Sequence, residues 1–217
     1  VFVYETPDTD IPSLENVTLD LGTGVLQIIA DETLDFTPVS AVVFENMSLA
    51  NVTGDREIVL IGATVQPRDR AHIFMTVTEA QRVRAIQISG LTGGDGNGSF
   101  FETELGALRD VGLNLLPAIR GLPLIELPDT IPPEIVLVEF NYIYGLIRLH
   151  FSETVKVLPN PGSVNLTKFQ MFDNNQQNGF GLTESYTDPY TGVIKETTIE
   201  PVDAVIVNIS VTPPMRW

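Results

Sequence analysis

The sequence predicts an all-β chain of two tandem β-sandwich domains, the second lacking its closing strand. Three observations carry this expectation. Apolar residues alternate with polar ones over short runs, glycine and proline punctuate those runs, and the second half of the chain repeats the first.

The repeat sets the domain count. Residues 7–34 lie over residues 128–155 at a shift of 121 without a gap, and eight of the 28 positions are identical, where chance gives about one or two. The identities are Pro7/Pro128, Asp8/Asp129, Thr9/Thr130, Pro12/Pro133, Val17/Val138, Gly24/Gly145, Glu32/Glu153 and Thr33/Thr154. Further on, after a small insertion, residues 39–44 match 164–169, and later 72–78 match 206–212. The predicted layout is an extended N-terminal strand at 1–6, a first domain at 7–120, a linker at 121–127 and a second domain at 128–217. Gly121, Pro123 and Pro128 mark the joint.

Within each copy the hydrophobic period is two, as half-buried strands require. Val205, Val207, Ile209 and Val211 share one face, against Ile206, Asn208, Ser210 and Thr212 on the other. Ile147, Leu149 and Phe151 oppose Arg148 and His150, while Ile73, Met75 and Val77 oppose His72, Thr76 and Thr78. Only residues 79–86 predict a helix, with Thr78 as N-cap and Gln81 placed to complete a capping box.

The phrase Pro128-Asp129-Thr130-Ile131-Pro132-Pro133, followed by Phe151-Ser152-Glu153-Thr154-Val155, resembles the opening of bacterial-type Ig-like repeats. Such repeats occur in S-layer proteins, adhesins and large protist surface proteins. Ala107-Leu108-Arg109-Asp110-Val111-Gly112-Leu113-Asn114 is similar to their closing Asp-x-x-Gly-Asn phrase. The resemblance covers most of residues 7–217, and what it implies is an Ig-like fold and a cell-surface setting, without an active site.

After Thr212 the second copy has no counterpart of residues 81–114, the stretch that should supply a closing strand. Residues 1–6 precede the first Pro-Asp-Thr phrase as 121–127 precede the second, so Val1, Phe2, Val3 and Tyr4 are expected to form an assembly strand that completes a preceding subunit, the alternative being a missing strand that follows Trp217 in the same polypeptide. The partner predicted is therefore the protein itself, in a head-to-tail homopolymer.

Composition narrows the function. Twelve basic residues against 28 acidic ones leave a net charge of -16, which repels phosphate backbones and argues against nucleic acid. No run approaches the roughly 18 apolar residues of a membrane helix, so no membrane insertion is expected. With no cysteine there is neither a disulfide framework nor thiol chemistry. His72 and His150, the two histidines, fit no metal or catalytic spacing, and the sequence predicts no enzyme.

Six Asn-x-Ser/Thr sequons, at Asn16, Asn46, Asn51, Asn97, Asn165 and Asn208, exceed the roughly two expected by chance and predict N-linked glycans on a secreted chain. No other cofactor is expected. Among hard-cation ligands, Asp95 in the glycine-rich loop 93–99 and Asp110 are weak candidates for Ca²⁺, with Asp8, Asp10 and Asp129 at the two joints. Tyr142, Tyr144, Tyr186, Tyr190 and Trp217 all fall in the second copy and could stack on sugar rings. The function predicted is a structural subunit of an extracellular glycosylated fibril or surface appendage. The alternative is an adhesin or carbohydrate-binding Ig-like module of a larger cell-surface protein.

Overall fold

The computed structural model describes residues 4, 6–141, 143–157, 164–172, 179–182, 185–187 and 194–211. The chain divides into two compact units, Val1–Ile131 and Pro132–Trp217. Both are built from β-strands, and among the described residues no helix is long and apolar enough to cross a membrane.

Unit 1 holds β1 (Leu14–Asp20), β2 (Val25–Leu34), β3 (Met47–Ala50), β4 (Ile58–Val59), β5 (Thr64–Val65), β6 (Arg70–Thr76), α1 (Glu79–Gln87), β7 (Phe100–Thr103) and β8 (Ile119–Leu127). The strands form one curled sheet in the order β4-β3-β7-β8-β1-β2-β6-β5. The curl pivots on β8, which changes partner along its length. Its first half runs antiparallel to β7, with Phe101 opposite Leu122 and Phe100 opposite Pro123. Its second half runs parallel to β1, from Val17 opposite Leu124 to Asp20 opposite Leu127. Strands that switch partners in this way turn one sheet back over itself. Residues 121–127, expected as a linker, are thus the strand that joins the two halves of the sheet, and the first unit extends beyond 120 to Ile131.

The core lies between those halves. Val17, Leu19, Leu26, Ile28, Ile73 and Met75 from one side meet Met47, Leu49 and Phe101 from the other, all within 1% of complete burial. Each such side chain contributes roughly 1.5–3 kcal/mol. The alternation read from the sequence gives these faces directly, since Ile73 and Met75 are buried while His72, Phe74 and Thr76 are exposed. Helix α1 starts at the predicted box: Thr78 Oγ1 accepts from the Gln81 backbone N–H at 3.3 Å, and Gln81 Oε1 accepts from the Thr78 N–H at 2.8 Å.

Unit 2 holds β9 (Ile135–Asn141), β10 (Leu146–Val155), β11 (Gln170–Phe172), β12 (Gly179–Gly181), β13 (Ser185–Thr187), β14 (Ile194–Glu196), β15 (Thr198–Ile199) and β16 (Ala204–Ser210). Four of them form a sheet in the order β15-β16-β10-β9, beside two hairpins, β11-β12 and β13-β14. That sheet reproduces β5-β6-β2-β1 residue for residue. Leu19 opposite Leu26 becomes Phe140 opposite Ile147, and Leu26 opposite Met75 becomes Ile147 opposite Ile209. Thr64 opposite Thr76 becomes Thr198 opposite Ser210.

The turns are copied as well. Asp20 Oδ1 accepts from the N–H groups of Gly22 and Thr23, and Asn141 Oδ1 accepts from those of Ile143 and Tyr144. The turn then needs a left-handed residue, which Gly24 (φ 70°) and Gly145 (φ 59°) supply. What differs is the neighbourhood of β9. In unit 1 its equivalent, β1, has β8 alongside, whereas among the described residues no strand lies along that side of β9.

Candidate functional site

The outer side of β9 is the site that distinguishes the two units. Ile135, Val136, Leu137 and Val138 are four consecutive apolar residues, and successive residues of a strand point to opposite faces. A strand apolar on both faces is built to be covered on both. All four are exposed: Val138 is 55% accessible, while its counterpart Val17 is at 0%. Two of the equivalent positions in β1 are polar, Glu15 for Val136 and Asn16 for Leu137.

Beyond the strand, Ile143 and Tyr144 are exposed too, and a shallow cleft of about 410 Å³ opens between Glu139, Phe140, Asn141, Ile143, Leu146 and Arg148. Glu139 supplies the one negative charge on β9, placed across the strand pair from Arg148 and bonded by His150 Nε2 at 3.0 Å. A single charge blunts an edge only locally. Such a surface can accept a strand, with backbone groups forming the ladder and apolar side chains covering both faces.

Of the expected assembly strand, Val1, Phe2 and Val3 lie outside the described residues, and Tyr4 is 93% exposed. Among the aromatics proposed for sugar stacking, Tyr144 has an exposed side chain. Tyr142, Tyr190, Trp217 and the side chain of Tyr186 lie outside the described residues.

A second cluster sits in unit 1. Asp8, Glu32 and Asp110 bring carboxylate oxygens within 4.8 Å of one another. Asp110 is fully buried and fixed by Asn114, whose backbone N–H and side-chain Nδ2 each donate to it at 2.8 Å. The Asp110-to-Asn114 phrase therefore folds as a closed loop against β2, where Val111 N–H donates to Thr33 O. Burial pushes the Glu32 carboxyl up from its ordinary value, and the like charges of Asp110 and Asp8 push it further. Three carboxylates are the donor type a hard divalent cation takes, although such ions need six to eight oxygens.

The two weak calcium candidates separate. Asp110 joins this cluster, whereas Asp95 accepts from the Asn97 N–H at 2.8 Å and from Asn51 Nδ2. Asp129 is bound instead by Arg82, at 2.9 Å. In the sequence Glu32 stands out only as the repeat counterpart of Glu153. Its place in the cluster depends on a contact with residues near 110, which no local pattern announces.

The sequon asparagines are unequal. Asn97 and Asn165 are exposed, and Asn165 Oδ1 accepts from both the N–H and the Oγ1 of Thr167. Asn16, Asn46, Asn51 and Asn208 are half-buried. The side-chain amide of Asn51 bonds Asp95, that of Asn46 bonds Leu105 O, and that of Asn208 bonds Glu200. Ser48, which completes the Asn46 sequon, is buried.

Compared with protein-family models, with curated proteins and with solved structures, the chain gives no match.

Proposed function

We propose that this chain is a structural subunit of an extracellular, glycosylated fibril or surface appendage, assembling head to tail by β-strand complementation, and that it catalyses no reaction. In this reading both units are Ig-like sandwiches. The first is closed by β8, and the second receives the equivalent strand from a neighbouring copy.

One observation carries the proposal: β9 repeats β1 in register, yet exposes Val138 where β1 buries Val17 under a sheet closed by β8. The segment that closes unit 1 runs directly into Pro128-Asp129-Thr130, and residues 1–6 run directly into Pro7-Asp8-Thr9. A contact between two different surfaces of one chain does not close on itself, so it propagates into a filament. The six sequons and the absence of cysteine suit a secreted polymer held by backbone ladders rather than disulfides.

Negative-stain imaging and sedimentation of the full chain, beside a variant lacking residues 1–6, test the reading. Filaments that depend on residues 1–6 support it. Filaments indifferent to the deletion, or a monomer that binds glycans on an array, defeat it, the latter in favour of an adhesive module.

A further inference from the structure

We infer that residues 3–6 of a second copy lie parallel to residues 138–141 of β9, with Val3 opposite Val138, Tyr4 opposite Glu139, Glu5 opposite Phe140 and Thr6 opposite Asn141. The inference rests on the assembly reading above and fixes its direction and register.

The argument is one of equivalence. The 121-residue shift found in the sequence carries every pairing of β1 with β2 at positions 17, 18, 19 and 20 onto a pairing of β9 with β10. It also carries the hydrogen bond from Asp31 N–H to Ser13 O onto that from Ser152 N–H to Glu134 O. Applied to β8, the same shift takes Leu124, Ile125, Glu126 and Leu127 onto Val3, Tyr4, Glu5 and Thr6. In unit 1 those four β8 residues pair with Val17, Thr18, Leu19 and Asp20, whose counterparts are residues 138–141.

Three features bear on the transfer. This half of β8 has β1 as its paired strand, with Leu124 N–H alone donating across to Ser99 O at 2.9 Å just ahead of β7, so the ladder that docking of the equivalent segment uses is the one β9 offers in place of β1. Val3 replaces Leu124, which is 8% exposed, so an apolar residue arrives where the fold buries one. Glu5 matches Glu126 in residue type, and in unit 1 Glu126 faces loop residues, accepting from the N–H groups of Gly90 and Ser99 and from Ser99 Oγ. Parallel docking also gives the polymer a single polarity.

The absence of native cysteine permits a direct test. Chains carrying Val3→Cys are mixed with chains carrying Val138→Cys and oxidised, so that a heterodimer reports only intermolecular pairing. Opposed residues on adjacent strands sit about 4.8 Å apart, within disulfide reach, whereas a partner two residues along the strand is at roughly 8 Å and beyond it. The control is Val3→Cys mixed with Val136→Cys, since Val136 and Val138 are both exposed and neither substitution opens a core.

The expected result is at least about a tenfold higher heterodimer yield with position 138 than with position 136, a difference of about 1.4 kcal/mol in apparent pairing. Equal or reversed yields, in material whose polymers still require residues 1–6, overturn the register and leave the assembly reading standing. Absence of heterodimer with both partners, in material whose polymers survive deletion of residues 1–6, overturns the assembly reading itself.

Discussion

Arg82 Nη1 donates to Asp129 Oδ2 at 2.9 Å, binding the first turn of α1 to the aspartate of the second Pro-Asp-Thr phrase. Arg82 is 5% exposed, and its guanidinium also donates to Leu21 O and, through two nitrogens, to Glu79. Removing it leaves two carboxylates and a carbonyl facing one another with their donor gone. Arg82→Ala is expected to destabilise unit 1 by about 2–3 kcal/mol, below the usual cost of breaking a fully buried pair because Asp129 and Glu79 keep some water. Asp129→Asn, which keeps an acceptor, should cost about 1 kcal/mol or less. Urea denaturation of both variants reads the difference.

The helix cap gives a graded pair. Thr78→Ala removes the acceptor for the Gln81 N–H and should cost about 1 kcal/mol. Gln81→Ala should cost more, about 2 kcal/mol, because Gln81 Nε2 also donates at 2.8 Å to Val59 O and Ile61 O, which lose their partner together. The order of the two denaturation midpoints checks this.

Equivalent positions in the two units should respond oppositely. Val17→Ala removes buried volume from the unit 1 core and should destabilise it by about 2 kcal/mol. Val138→Lys, at an exposed position, should change the stability of the isolated chain by less than about 0.5 kcal/mol while abolishing polymers. Calorimetry and sedimentation on the same preparations separate the two effects.

Acid titration carries a sign for each carboxylate. The Glu32 carboxyl is raised, by burial first and by Asp110 and Asp8 next, so the folded chain holds that proton more tightly than the unfolded one. Its contribution to stability therefore falls as pH rises from the ordinary Glu range through the folded-state value. Glu32→Gln should raise the denaturation midpoint at pH 7, and the gain should vanish below about pH 4. Asp31 and Asp35 act in the other sense. Both are lowered, Asp31 chiefly by the Ser13 N–H and Asp35 by the Thr37 N–H and then Arg109. Their stabilisation is present above the ordinary Asp range and is lost as pH falls through the folded-state values.

Glycan occupancy is expected first at Asn97 and Asn165, the two exposed acceptors. Asn97→Gln and Asn165→Gln should each remove one glycan mass from protein expressed in a secretory host, without moving the denaturation midpoint. Intact mass spectrometry before and after glycosidase treatment checks this.

Much of the fold was legible because its signals are local or periodic. The period of two placed Ile73 and Met75 inside, the Thr78/Gln81 pair set the helix start, and the 121-residue shift carried the turn glycines Gly24 and Gly145 onto each other. Residues 121–127 misled for a physical reason. Gly121 and Pro123 look like a joint, yet Gly121 holds φ 66° where a Cβ would meet Thr53 Oγ1 at 2.9 Å. Pro123 falls where β8 exchanges β7 for β1, so its missing N–H interrupts no continuous ladder. The acidic cluster and the Arg82 contact to Asp129 join residues far apart in sequence. Burial of Asp110 and Arg82 became visible only once the sheet had curled.

The parallel pairing of β1 with β8 fixes how unit 1 responds to stretching. Tension along the backbone enters ahead of β1 and leaves past Leu127, so the two strands are drawn in opposite directions along their common axis. Their hydrogen bonds, between residues 17–20 and 124–127, are then sheared together instead of unzipping one after another, and the last residues before the joint act as a latch against extension.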